Sequence, residues 1–348
     1  MIKRSMTGLL AALILFSLSS CAKQETTRYT TTFLQLFDTM TEIVAYTDNK
    51  EEFERFSNLV HDNLKEYHEL YDIYNDVPGV NNLKTINDNA GIAPVKVDRR
   101  IIELLQFAKK EEKASSGTFN IALGAVLRIW HAHREEGSNN PERASLPSME
   151  ELQEAMEHTN IDDVLIDEAA STVYLADPAM SLDVGSIAKG YATEQVALLA
   201  EKAGFDSALL SVGGNVRAIG SRDGKGEPWK VGLRNPDSDS EQKDLFITLL
   251  TDASLVTSGV YERYYTVDGK KYHHIIDPAT LMPSERYLSV SVIVTDSGRA
   301  DALTTALFNM SLEDGLTYIA TQTDAEACWV LPDGELRYSE GFEQYIKK

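Results

Sequence analysis

The segment Thr257–Pro278 places the tightest local constraint on how this chain can fold. Within it, Asp268-Gly269 separates two arms rich in β-branched and aromatic residues. An Asp-Gly pair between such arms is a strong signal for a two-residue β-hairpin, because both turn positions require a left-handed backbone. The sequence therefore predicts an antiparallel strand pair whose register is fixed by the turn.

This register brings a guanidinium beside an imidazole. Counted outward from the turn, Arg263 pairs with His274, and Tyr264 pairs with His273 on the other face. A neighbouring positive charge disfavours the imidazolium, so we expect a neutral His274 that can accept a proton. His273 is expected to be a structural residue of a partly exposed hairpin. A one-residue slip would remove the first pairing.

The remaining patterns predict an α+β fold with no repeat and no clear domain boundary. Apolar residues at helical spacing predict helices at Glu51–Tyr71 and Ile101–Lys113. Short β-like runs dominate from Val164 to Ile293, broken by one helix, and the polar segment Gly137–Pro147 is the candidate surface insertion. About 315 residues remain after the N-terminal segment, enough for one large domain or two ordinary ones.

The first 20 residues have the pattern of a secretory signal. Lys3 and Arg4 precede Leu9–Leu18, an apolar run too short for a permanent membrane-spanning helix. Leu-Ser-Ser then precedes Cys21, an order typical of lipoprotein processing. We predict that residues 1–20 are a signal peptide and that Cys21 carries the lipid, holding the protein extracytoplasmically at a membrane surface. An ordinary signal with an incidental cysteine is the alternative.

Residues 21–32 and the net charge of the chain limit which partners it can have. Residues 21–32 are polar beyond Cys21, which predicts a flexible tether before a folded domain at residues 33–348. The net charge of -21 argues against nucleic acid as a partner. Cys328 has no second cysteine to pair with once Cys21 is lipidated, and we expect it to be buried as a small apolar residue.

Two further segments have residues suited to an anionic ligand. A strand ending at Asp183 is predicted to lead into a helix whose free amides, with Lys189 in the first turn, suit a phosphate. The spacing is not that of a Walker A loop, and Gly185 permits tight packing as an alternative. Gly213-Gly214 interrupts a β-like run, which predicts a bulge or a close ligand approach.

Asp301 and Thr305 suggest a metal site on a C-terminal helix. They lie one turn apart, opposite the apolar stripe. A carboxylate and a hydroxyl at that spacing can ligate one hard cation such as Mg²⁺. The alternative is an aspartate that only complements the helix dipole.

Taken in order, these segments resemble the ApbE-type FAD:protein FMN transferases. The matching motifs are Asp-x-Gly-x-x-Ala-Lys-Gly-Tyr, Ser-x-Gly-Gly-Asn, Thr-Ser-Gly-x-Tyr-Glu-Arg, His-Ile-Ile-Asp-Pro and Ala-Asp-Ala-Leu-x-Thr-Ala. The resemblance runs from about Phe37 to about Met310. It implies a single large α+β domain, T-fold-like, with mixed sheets and flanking helices.

The resemblance also implies a reaction and the residues that perform it. Such enzymes split FAD and attach its FMN half, through a phosphodiester, to a threonine or serine of an extracytoplasmic protein, and AMP leaves. Asp301, Thr305 and the Ala188 carbonyl would bind Mg²⁺, and His274, with Asp277 nearby, would act as the base. The positions implied for FAD binding are Met40, Asn120, Asp183, Lys189, Gly190, Gly213, Gly214, Asn215, Ser258 and Arg263.

The implied partners are acceptor flavoproteins with an Asp-x-x-Thr/Ser-type motif, such as subunits of ion-pumping redox complexes or extracellular flavin carriers. Two departures stand out: Leu281 replaces the glycine of the family's Thr-Gly-x-Pro turn, and Asn120 stands where many members have aspartate. Neither removes a metal ligand or the base. A Mg²⁺-dependent FAD pyrophosphatase, a non-catalytic FAD-binding lipoprotein and a structural lipoprotein remain as alternatives.

Overall fold

The computed structural model describes residues 26–348, and its first strand corrects the tether prediction. Cys21, the signal segment and the start of the tether lie outside the described residues. Strand β1 (Thr27–Leu36) pairs antiparallel with β2 (Thr39–Thr47) along its length. The prediction of a tether was therefore wrong for residues 27–32. Their β-branched threonines favour a strand, and Tyr29 stacks on Phe53 at 5.4 Å between ring centroids.

An eight-stranded antiparallel sheet forms the centre of the fold, in the order β1-β2-β6-β7-β10-β13-β14-β15. Its other strands are β6 (Ser207–Val212), β7 (Asn215–Gly220), β10 (Ser254–Gly259), β13 (Ser289–Val294), β14 (Glu326–Val330) and β15 (Leu336–Tyr338). Smaller sheets contain β3 (Val95–Lys96), β4 (Val164–Asp167), β5 (Thr172–Leu175), β8 (Trp229–Arg234), β9 (Asp244–Leu250), β11 (Tyr264–Val267) and β12 (Lys270–His273). Cys328, in β14, is buried as predicted, and burial raises the pKa of its thiol to about 12.

Eight α-helices flank the sheets in the part of the chain described, which confirms the α+β class. They are α1 (Lys50–Tyr71), α2 (Leu83–Asp88), α3 (Arg99–Ala114), α4 (Gly124–Asn139), α5 (Met149–Met156), α6 (Ala188–Lys202), α7 (Ser297–Asn309) and α8 (Leu312–Ala320). Helices α1 and α3 confirm the two predicted N-terminal helices. Helix α1 begins where the Asn49 side chain accepts the Glu52 N–H at 2.9 Å. Among the described residues, no helix has the length and apolar character needed to cross a membrane.

Two predictions around α4 and α6 need correction. Residues 137–139 of the predicted surface insertion belong to α4, and Gly137 packs against the hairpin, where an added Cβ would come within 2.6 Å of Tyr265 Cδ2. No strand ends at Asp183, since only Ser181 forms an isolated bridge there. Leu199 of α6 is 38% exposed. Helix α6 buries mainly small residues such as Ala192, so it can lie close to its neighbours, and its leucines do not contribute to that contact.

A buried ion cluster ties α6 and α7 to the main sheet. Arg217 in β7 donates to Glu194 at 3.0 Å, Glu201 at 3.2 Å and Asp252 at 2.9 Å. The same Glu194 oxygen accepts the N–H of Ser297, the first residue of α7, at 2.9 Å. The start of α7 is thereby held against α6, one turn before the predicted metal ligand.

Candidate active site

A cleft with a cavity volume of about 480 Å³ gathers the segments singled out in the sequence. Its walls come from the β1–β2 turn, α1, α4, the start of α6, one face of α7, β10 and the segments that flank the hairpin β11–β12. The predicted site residues that line it are Asn120, Asp183, Ala188, Lys189, Gly213, Asn215, Ser258, Arg263, His274, Asp301 and Thr305.

One wall of the cleft is a set of oxygen donors at the junction of α6 and α7. Asp301 is only 4% exposed, and its Oδ2 accepts the N–H of Gly190 at 2.9 Å. Burial raises the pKa of this carboxyl, against the opposing effects of the Lys189 charge and the Gly190 N–H. Thr305 lies one turn later with its Oγ1 3.4 Å from the Asp301 carbonyl, and Ala188 opens α6 beside them.

This donor set suits a hard cation. A carboxylate, a hydroxyl and a backbone carbonyl are ligands that Mg²⁺ prefers, whereas Zn²⁺ prefers nitrogen and sulfur. Within residues 26–348 no group of three His, Cys, Asp or Glu side chains could hold a metal alone. A protein site this sparse needs further oxygens from water or from the phosphates of a substrate, which is the usual arrangement for Mg²⁺.

Two buried amides add polar atoms that lack protein partners. Asn215 Nδ2 makes no hydrogen bond of ordinary geometry to the described residues, although its amide lies close enough to Asp301 to favour the carboxylate. Asn309 Oδ1, on α7, is also buried and unpaired within residues 26–348. Both side chains line the cleft. Buried polar atoms without partners are costly, so these two are suited to a polar ligand.

Another wall of the cleft contains His274, and the hairpin has the predicted register. Tyr264 pairs with His273, and the His274 backbone donates to Arg263 O at 3.1 Å. His274 Nδ1 lies 3.2 Å from the same carbonyl. A carbonyl only accepts, so Nδ1 carries the proton and Nε2 is left as an acceptor. Burial, followed by the Arg263 charge, lowers the pKa of His274 to about 3. The predicted neutral imidazole is confirmed, with burial as its main cause.

His273 has the structural role expected of it. Its Nε2 bonds to Ser284 O at 2.8 Å, and its Nδ1 accepts the N–H of Ile275 at 3.2 Å. Both ring nitrogens are therefore committed inside the protein. Burial lowers the pKa of this histidine as well.

Asp277 and Gly190 do not have the contacts that the family resemblance implied for them. The Asp277 carboxylate accepts the N–H of Ala279 at 2.9 Å and lies 3.5 Å from Arg286. It shapes the turn after His274 and does not line the cleft. The N–H of Gly190 is used by Asp301, so it is not free for a phosphate.

The predicted glycine bulge is a tight turn. Gly213 and Gly214 have φ of +55° and +89° and join β6 to β7 directly, with Val212 paired to Asn215. Two left-handed residues form a two-residue hairpin, which explains both glycines. Only Gly213 lines the cleft. Met40 is 56% exposed and meets this turn through its carbonyl, which accepts the Gly213 N–H at 3.0 Å.

Both departures from the family pattern have local explanations. Leu281 keeps a left-handed backbone at φ 61°, its carbonyl accepts the Trp130 indole N–H at 2.9 Å, and its side chain is buried in the same apolar cluster. Packing against α4 therefore offsets the strain of a non-glycine residue. Asn120 donates to Thr159 O at 3.0 Å and accepts the Ala122 N–H at 2.8 Å. An ionised aspartate cannot make the first bond.

Tyr74, His131 and Arg134 are among the cleft residues that sequence reasoning missed. The Tyr74 and His131 rings stack with centroids 5.1 Å apart. His131 and Arg134 lie three residues apart on α4, so their spacing showed a shared helix face. The sequence did not show that this face meets the hairpin.

Comparison with known proteins identifies the family. A model of the ApbE family matches residues 37–329. The chain belongs to the ApbE family. It is 35% identical over 278 residues to an FAD:protein FMN transferase of Treponema pallidum, covering 76% of this chain and 75% of the relative. It is 34% identical to one of Klebsiella pneumoniae, covering 76% and 80%.

The fold agrees with this assignment. The crystal structure of the ApbE protein from Thermotoga maritima superposes with a TM-score of 0.81 at 29% identity, covering 92% of this chain and all of that one. The predicted family and fold class are thereby confirmed. The prediction of an FAD:protein FMN transferase is confirmed by the names of the relatives.

Proposed function

We propose that this chain transfers the FMN moiety of FAD to a threonine or serine hydroxyl of extracytoplasmic flavoproteins, forming a phosphodiester and releasing AMP in a Mg²⁺-dependent reaction. The observation that carries the proposal is the pairing, in one cleft, of the Asp301 oxygen donors with the neutral imidazole of His274. A divalent cation and a base in one cleft suit attack by a hydroxyl on a pyrophosphate.

In this reaction the chain supplies the base and the orientation. The acceptor oxygen attacks the phosphorus of the FMN half, the bond to the bridging oxygen breaks, and AMP leaves with that oxygen. The hydroxyl proton passes to His274 Nε2, because Nδ1 is held at Arg263 O. A positioned base contributes about 10²–10⁴-fold. Lys189, beside Asp301, is placed to attract the anionic phosphates.

Asp301, Thr305 and the carbonyl of Ala188 would hold the Mg²⁺. When bound, the cation neutralises the phosphate oxygens and the charge that develops on the leaving AMP. The protein's own task is to keep the carboxylate ionised and fixed. The Gly190 N–H and the Lys189 charge both favour the ionised form of Asp301.

We also propose that the enzyme acts outside the cytoplasm, anchored by a lipid on Cys21. Because β1 starts at Thr27, only five residues separate it from Cys21, a reach of at most about 18 Å. Strand β1 extends ten residues, roughly 33 Å, toward the turn that lines the cleft. The acceptor would therefore present its hydroxyl some distance from the membrane rather than at its surface.

One assay tests the activity. The purified protein is incubated with FAD, Mg²⁺ and an acceptor domain that carries an Asp-x-x-Thr motif, with a Thr→Ala acceptor as the matched control. Covalently flavinylated acceptor and an equal amount of AMP support the proposal. FMN and AMP without labelling would indicate a pyrophosphatase, and intact FAD would indicate a binding protein; either result contradicts a transferase.

A further inference from the structure

A second, open groove adjoins the cleft beside His274. It has a cavity volume of about 340 Å³ and lies between α4 and the segment that leads into β11. His131, Arg134, Glu262 and Arg263 line both the groove and the cleft, so the two spaces are continuous. A polypeptide lying in the groove would reach the cleft at the base.

The groove is lined by two guanidiniums, those of Arg134 and Arg263, and by two carboxylates, those of Glu135 and Glu262, in a protein whose net charge is -21. Across residues 26–348, neither Arg134 nor Arg263 forms an ion pair with a carboxylate. Glu262, at the rim, is already paired with Arg234 at 3.0 Å. Two guanidiniums without carboxylate partners favour an anionic ligand, because the planar fork of arginine binds carboxylates bidentately.

His131 holds Arg134 in place. Arg134 Nη2 lies 2.8 Å from His131 Nδ1, and because a guanidinium only donates, the imidazole nitrogen accepts. Burial, followed by the Arg134 charge, lowers the pKa of His131, which keeps that nitrogen unprotonated. One guanidinium edge is thus fixed from within α4, and its remaining donors are available to a ligand.

The positive charges around the two spaces fall into two sets. Lys189 acts on Asp301, at the wall suited to the pyrophosphate. Arg263 and Arg134 act on His274, at the wall where the attacking hydroxyl must arrive. The second set therefore lies on the side of the acceptor rather than on that of the phosphates.

We propose that this groove binds the acceptor polypeptide and that Arg134, with Arg263, binds an acidic side chain next to the acceptor threonine or serine. The inference rests on the proposed function. It gives the enzyme a means of choosing acceptors by charge, since a neutral or basic residue at that position would leave two guanidiniums unpaired.

The test compares Arg134→Gln with Arg99→Gln, an exposed arginine of α3 that is paired with Glu103 at 2.9 Å and lines neither the groove nor the cleft. Each variant is assayed with the Asp-x-x-Thr acceptor and with the same acceptor carrying Asn in place of Asp. We expect Arg134→Gln to raise the KM for the acidic acceptor about tenfold, to change the KM for FAD less than twofold, and to remove the preference over the Asn acceptor. Arg99→Gln should change none of these values by more than twofold.

A charge exchange tests the contact directly. Arg134→Glu should label the Asp acceptor poorly and should recover with an acceptor carrying Lys at that position. Equal losses on all three acceptors, or a parallel rise in the KM for FAD, would overturn the groove assignment. Wild-type protein that labels no acceptor would instead refute the proposed function, so the two failures are distinguishable.

Discussion

The two walls of the cleft are built in different ways. The α6–α7 wall is buried, and its helices approach so closely that a Cβ on Gly190 would come within 2.3 Å of Ser297 O. The hairpin wall is a two-stranded ladder with several exposed residues, supported by α4 and by the segment after it, where Ser145 O accepts the Tyr265 hydroxyl at 3.1 Å. The first wall fixes oxygen donors, whereas the second leaves room for a partner.

This difference follows from what each wall must bind. Metal ligation tolerates little displacement of its donors, so burial and a charge network restrain Asp301. A protein acceptor differs from one partner to the next, so a partly exposed ladder beside an open groove is better suited to it. The comparison predicts that changes on the buried wall affect turnover and stability together, and that changes on the hairpin affect mainly acceptor use.

The largest effect is expected for Asp301→Ala. Loss of the only carboxylate among the proposed metal donors should lower Mg²⁺-dependent transfer about a thousandfold or more, because a bound cation contributes several kcal/mol to the transition state. Transfer rates measured over a Mg²⁺ titration check this, with the exposed-helix variant Asp314→Ala as the control. Full activity in Asp301→Ala would refute the metal assignment.

His274→Gln should lower kcat about 10²–10⁴-fold, with FAD binding retained. The folded-state pKa of about 3 lies below the ordinary value of 6.5, so the base stays neutral as the pH falls from 6.5 toward 3. The wild-type rate should therefore stay constant as the pH is lowered through 6.5. A fall in the wild-type rate with a midpoint near pH 6.5 that is absent in His274→Gln would contradict the assignment.

The same lowered pKa of His274 makes the free energy of unfolding decrease as the pH falls from 6.5 toward 3, because the unfolded histidine binds the proton first.

The ion cluster behind the buried wall should matter for stability. Arg217→Met leaves Glu194 buried without its cation, which should cost about 3–5 kcal/mol of unfolding free energy. Arg234→Met breaks an exposed pair on the other side and should cost about 0–1 kcal/mol. Urea unfolding of both variants measures the difference. If Arg217→Met and Arg234→Met lost similar amounts of unfolding free energy, the two walls would not differ in rigidity.

Two glycine substitutions give the smallest effects. Gly190→Ala should force α6 and α7 apart and cost about 1–3 kcal/mol, with a weaker apparent affinity for Mg²⁺. Gly269→Ala, at φ +80° in the hairpin turn with no atom within 4 Å of the added Cβ, should cost about 1 kcal/mol through the backbone alone. Thermal unfolding and Mg²⁺ titration separate them, since only the first should change metal dependence.

Local sequence chemistry predicted the hairpin better than it predicted the strands around it. Asp268-Gly269 set the register because turn geometry depends on adjacent residues only. Residues 27–32 have threonines that favour a strand, but their pairing with β2, which makes the strand, could not be seen in the local sequence. Gly213-Gly214 was recognised as special but assigned to a bulge, since the paired arms of a hairpin and an interrupted strand give the same alternation.

The sequence by itself determined four of the helices (α1, α3, α6 and α7), the β11–β12 turn and the motifs that place this chain in the ApbE family. Those signals are periodic or local, and they depend on side-chain types at fixed spacing. Tertiary structure alone decided that the Gly190 amide binds Asp301, 111 positions away, and that Arg134 lies beside the base. Such contacts depend on how whole elements pack, and packing is set by shape and burial summed over the chain, not by any short segment.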